Sequence, residues 1–109
     1  MITTTTIPVT VTPEAAERVA ELGMQAELER MLEHSRQTVP GLRAIEVQLA
    51  LPYDTGDETS VIIQATRAGP FRPEDPTQRK WDDWQMNSFS PDVYRHFILM
   101  TLHEKAHEG

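Results

Sequence analysis

Cysteine is absent from this sequence, which excludes disulfides, thiolate zinc sites and thiol catalysis, and favours a cytoplasmic setting over an oxidising one. No apolar run approaches the roughly 18 residues of a membrane-spanning helix, and the first residues lack the basic-then-apolar layout of a signal peptide. Basic residues are scarce, ten against seventeen acidic ones for a net charge of −7. That balance disfavours direct contact with polyphosphate and favours a basic protein surface as partner, although net charge also serves plain solubility. Glycines number five, and none forms a phosphate-cradling loop. What remains is the composition of one globular domain over residues 1–109, 39% hydrophobic and 25% charged, with room for a single modest core.

Residues 1–11, MITTTTIPVTV, are β-branched and carry Pro8, so they read as an edge strand or a loose arm. Thr12-Pro13-Glu14 is a helix start, with an N-cap, a proline at the first turn and an anion at the dipole. Ala15, Val19, Leu22 and Ala26 recur at helical spacing, and Leu28, Met31, Leu32 and Ser35 extend the stripe. Gly23 lies between the two sets, so one kinked helix or two separate ones fit the pattern. Val39-Pro40-Gly41 ends the helical region. Ile45, Val47, Leu49 and Leu51 then alternate with polar or small residues, and Val61, Ile63 and Ala65 share one face of a return strand further on. This is a hairpin with one buried face, turning at residues 52–58, PYDTGDE. Asp54, Asp57 and Glu58 lack the alternating spacing of a calcium loop and read as solvated turn charges.

Residues 75–107 hold both tryptophans, two of three phenylalanines and three of four histidines. Two helix starts are written there. Asp75-Pro76 with Gln78 predicts a capping box, and Ser90-Pro91-Asp92 repeats the device. The spacing predicts two C-terminal helices, the second carrying Val93, Phe97 and Met100 on one stripe with Tyr94, Ile98 and Leu102 beside it. The expected fold is α+β: an N-terminal helical region, a hairpin, two C-terminal helices and an optional edge strand.

The sharpest chemical motif is His103-Glu104-Lys105-Ala106-His107. On a helix, His103 and His107 would share a face able to grip Zn²⁺ while Glu104 polarised a metal-bound water. A catalytic zinc needs a third protein ligand, which such enzymes supply downstream. Here Glu108 and Gly109 follow, and His34 or His96 could complete the set only if the fold brought them near. The two histidines could equally take up Zn²⁺ or Ni²⁺ adventitiously. Asp82 and Asp83 are adjacent on a helix and diverge, so they make no acid/base pair. The serines have no histidine at a triad spacing. Trp81 and Trp84 share a helix face, the pattern of core residues; the competing reading makes them anchors for a partner, with Tyr94 beside them and Arg79, Lys80 and Arg95 as rim.

Residues 39–102 resemble a loosely defined group of short bacterial proteins. The shared layout is a proline-glycine turn (Pro40-Gly41), an acidic glycine loop (Tyr53-Asp54-Thr55-Gly56), a W-x-x-W (Trp81 to Trp84) and an aromatic-proline step (Phe89-Ser90-Pro91) leading to Tyr94-Arg95-His96-Phe97. Such proteins are similar to the antitoxin-like halves of two-gene modules whose other product is a small helical nuclease. The resemblance implies a protein partner and no catalytic residues. Three functional readings follow. The first is a non-enzymatic acidic module that covers a basic protein, with Trp81, Trp84 and Tyr94 as anchors and Asp82 and Asp83 facing basic groups. The others are a zinc hydrolase on His103, Glu104 and His107, and a structural homodimer that completes its sheet across a two-fold axis.

Overall fold

The computed structural model of the protein describes residues 7–50 and 60–104. In chain order these form β1 (Val9–Val11), α1 (Pro13–Leu22), α2 (Gln25–Thr38), β2 (Leu42–Leu49), β3 (Val61–Arg67), α3 (Thr77–Ser88), α4 (Pro91–Tyr94) and β4 (Phe97–His103). The class is α+β, a four-stranded sheet with four helices. The arm's first six residues, the hairpin turn with Asp54, Asp57 and Glu58, and His107 lie outside the described residues. Among the described residues no helix is long and apolar enough to cross a membrane.

Local chemistry sets the helix ends. Thr12 Oγ1 accepts the Ala15 N–H at 3.2 Å, capping α1 beside Pro13. At the other end Gly23 takes φ 70°. Its N–H donates to Ala20 O at 3.1 Å while the Met24 N–H reaches back to Val19 O, also at 3.1 Å. This paired closure needs a left-handed residue, which glycine adopts without a Cβ penalty. Gly23 therefore divides the helical region into α1 and α2.

The sheet order is β1-β2-β3-β4. The hairpin β2–β3 is antiparallel and forms the centre, while β1 joins β2 and β4 joins β3 in parallel. Each half of the chain thus runs strand, helix, helix, strand, and the halves meet at the hairpin. The edge-strand reading of the N-terminus holds for Val9–Val11, where Val9 pairs with Ile45.

The second C-terminal helix differs from expectation. Its start is real, since Ser90 O accepts from the N–H of Val93 and Tyr94, but it lasts one turn, and Phe97–His103 is a strand. An apolar run of this length fits a buried strand or a helix equally by periodicity. The decision is tertiary: a lone hairpin is marginal in water, and β3 acquires a second neighbour only if β4 extends. Phe97 and Leu99 then face inward, while Ile98, Met100 and Leu102 are exposed.

All the long helices lie on one side of the sheet. Ala15 and Val19 of α1, Leu28, Met31 and Leu32 of α2, and Trp81 of α3 join Ile45, Val47, Val61, Ile63, Ala65, Phe97 and Leu99 in one buried cluster. The opposite face carries Glu46, Gln48, Ile62, Gln64 and Thr66 beside the exposed β4 residues.

The β4 edge is partly closed by side chains. His96 O and the Glu104 N–H are bonded to β3, and parallel pairing alternates, so the odd-numbered residues of β4 direct their peptide groups outward. Gln85 Nε2 donates to Phe97 O at 3.1 Å and Gln78 Nε2 to Leu99 O at 3.0 Å. Two amides one strand repeat apart thus stand in for a fifth strand along half of β4, a guard against edge-to-edge pairing. The capping box predicted for Asp75 and Gln78 is not made: Pro76 is the N-cap residue and α3 starts at Thr77, Asp75 bonds the Thr77 N–H from one position further back, and Gln78 reaches the sheet and Asp82 instead of turning back.

Candidate functional site

Where α2 passes α3, aromatic residues form a connected group. The His34 and Trp84 rings stack with centroids 3.7 Å apart and planes 5° from parallel. Phe89 meets the Trp84 ring edge-on at 5.5 Å, and the Arg30 guanidinium lies 4.5 Å from the Phe89 centroid. Trp81 sits 5.7 Å from Trp84 on the inner side. Spacing explains this: residues 81 and 84 are three apart on one helix face, and His34 is one turn from the end of α2.

The two tryptophans differ in role. Trp81 is 1% exposed and donates from Nε1 to Ser35 Oγ at 3.0 Å, while the Ser35 hydroxyl donates to Met31 O at 2.8 Å. Burial removes Trp81 from the anchors expected on the surface; it is a core residue whose polar atom is satisfied inside. Trp84 remains half-buried. With His34, Thr38, Pro40, Asp75, Pro76, Thr77, Lys80 and Trp81 it lines an open cleft of about 480 Å³. Burial holds the pKa of His34 below its ordinary value, because a desolvated imidazole resists charging.

Asp75 lines the base of this cleft, and Arg67, which faces a second cavity, pairs with it from behind. Arg67 is buried; its Nη2 donates to Asp75 Oδ2 at 3.0 Å and its Nε to Pro40 O at 3.0 Å. Asp75 Oδ1 accepts from the Thr77 hydroxyl at 2.6 Å and the Thr77 N–H at 2.9 Å. Those Thr77 bonds first, and the Arg67 charge after them, lower the Asp75 pKa from 3.8 to about 2. The pair ties the start of α3 to β3 and to the α2–β2 turn.

The other residues singled out in the sequence are dispersed. Asp82 is half-buried and accepts from Gln78 Nε2 at 3.2 Å; Asp83 is exposed. Tyr94 is half-buried on α4, and none of these three lines the cleft. His103 ends β4 beside Arg67, its cross-strand neighbour. Glu104 pairs with Arg43, Oε1 to Nε at 3.3 Å. The helical geometry that would give H-E-x-x-H its chemistry is therefore not formed at His103: successive residues leave a strand on opposite faces, and Arg67 opposes a cation there. Among the described residues no group of three His, Asp or Glu could hold a metal. His34 stands on the wall of the cleft and not at a metal site; its four-residue offset from Thr38 on α2 marks a shared helix face but not the ring it meets. No family model, curated protein or solved structure matches the chain.

Proposed function

We propose that this protein is a non-catalytic, acidic binding module of antitoxin or inhibitor type, acting in the cytoplasm by covering a basic protein partner. The observation that carries the reading is Trp84. Its ring is fixed by His34 on one face and Phe89 at its edge, yet it lines an open cleft. An aromatic side chain already immobilised loses little entropy on binding, the property of an interface hot spot. The cleft takes a side chain of the partner, and Lys80 forms part of its rim. Exposed Asp83, with Asp82 and the net charge of −7 behind it, steers basic groups toward α3. Tyr94 serves at the periphery.

The test uses the product of the adjacent reading frame, with a small basic nuclease as the expected kind of partner. A stable complex is expected, weakened about thirtyfold by Trp84→Ala and made less salt-sensitive by Asp83→Asn. Failure to associate, or identical affinity for wild type and both variants, would overturn the reading. The homodimer is a second reading, supported by exposed Ile98, Met100 and Leu102 on the uncovered sheet face. Light scattering at twice the monomer mass, lost in Met100→Lys, would support it.

A further inference from the structure

On the far side of the Arg67–Asp75 wall lies a second cavity of about 300 Å³, lined by Arg67, Phe71, Arg72, Gln78, Thr101 and His103 among others. We propose that this cavity binds a carboxylate carried on an apolar body, with Arg67, Arg72 and His103 as the donors to its oxygens. The proposal does not rest on the α2–α3 cleft or on any protein partner.

Four observations converge. Arg67 is buried and held rigidly by Pro40 O and Asp75 through Nε and Nη2, and its Nη1 makes no hydrogen bond to a described residue. His103 is the cross-strand neighbour of Arg67 on the same sheet face, and its Nδ1 is buried with no partner among the described residues. A buried imidazole nitrogen left unbonded costs free energy until an acceptor or donor reaches it. Arg72 also lines the cavity and makes no ion pair with a described residue. Phe71, 67% exposed, sets its ring edge against His103 at 5.5 Å and supplies an apolar wall.

Charge selects the ligand. Two guanidiniums against the one carboxylate of Asp75 leave a single positive unit in the lining, which suits a monoanion better than a phosphate dianion. Planar guanidinium forks match the two oxygens of a carboxylate. The carboxylate could belong to a small free acid or to the end of an extended peptide. A peptide would also bond the outward peptide groups of Thr101 and His103, the part of the β4 edge beyond the reach of Gln78 and Gln85.

The His103 ring nitrogens, followed by NMR during titration, provide the test. Phenylacetate is expected to shift them saturably at about 1 mM, the range of a fragment-sized ligand, and phenylacetamide to bind about tenfold more weakly or not at all. Arg72→Ala should weaken phenylacetate about tenfold; as Arg72 is exposed, the fold should survive, which the unchanged Thr77 amide resonance would verify. A phenylalanine-ended tetrapeptide with a free carboxylate, compared with its amide, distinguishes the sources: only strand addition moves the Thr101 and His103 backbone amides as well. Equal response to acid and amide, no saturable shift, or full affinity in Arg72→Ala would overturn the proposal.

Discussion

The indole N–H of Trp81 and the hydroxyl oxygen of Ser35, 46 positions apart in sequence, lie 3.0 Å apart in the buried layer between α3 and α2. This bond positions the aromatic group of the cleft, because Trp81 supports Trp84 from behind. Ser35→Ala removes the acceptor and leaves a buried donor unpaired, at a cost of about 1–3 kcal/mol. Trp81→Phe removes both the donor and volume. Urea unfolding of both single variants and the double variant should give a coupling energy of about 0.5–3 kcal/mol; strictly additive losses would show that the bond contributes nothing.

Gln85 offers a second measurement. Its amide is the donor to Phe97 O, so Gln85→Leu leaves that buried carbonyl unbonded and should lose about 1–3 kcal/mol. Gln85→Glu should be worse at neutral pH, since a carboxylate cannot donate and would itself be buried. If Gln85→Glu were as stable as wild type in the same denaturation series, the edge-closing role would be wrong.

Acid stability should report on Asp75. Its folded pKa of about 2 lies below the ordinary 3.8, so the unfolded chain takes up the proton first. The carboxylate's contribution is complete above 3.8 and is lost as pH falls toward about 2. Asp75→Asn should flatten the stability profile in that window, and Thr77→Val should raise the Asp75 pKa. Carboxyl-resolved NMR titration measures both; an Asp75 midpoint unchanged in Thr77→Val would contradict the assignment.

His34 should titrate below its ordinary 6.5 because burial disfavours the imidazolium. The unfolded chain again protonates first, so stability falls as pH drops below 6.5 toward the lowered folded value. Trp84→Ala uncovers the ring and should bring the His34 midpoint back up. An imidazole titration in which that variant left the midpoint where it was would show that Trp84 is not what desolvates it.

Much of the fold was legible because local physics wrote it. Thr12-Pro13, Gly23 and Pro40-Gly41 each mark a helix end by cap or left-handed geometry, and the alternation of Ile45 and Val47 with polar neighbours announces a half-buried strand. Residues 97–103 resisted for a physical reason: an apolar run this short fits the helical stripe of Phe97 and Met100 as well as the strand face of Phe97 and Leu99, and the sheet's need for a neighbour outweighed the helix start at Ser90-Pro91. The separation of Trp81 from Trp84 was equally beyond reach, since a shared helix face states that both turn inward but not which one meets Ser35 and which stacks on His34. Gln78 reads in the sequence as the far member of a capping box and Gln85 as an ordinary polar helix position, and their seven-residue offset gains meaning only against the repeat of β4.

The strand–helix–helix–strand construction of each half has a bearing on how the molecule comes together. Either half alone would lose the β2–β3 pairing and its share of the one buried cluster, so the two should fold concertedly and neither should persist as a fragment. Yet the antiparallel junction of β2 with β3 makes the same bonds whether its strands come from one chain or from two. Peptides cut within residues 51–59 should therefore reconstitute when mixed, and concentrated intact chains could exchange halves into an intertwined dimer.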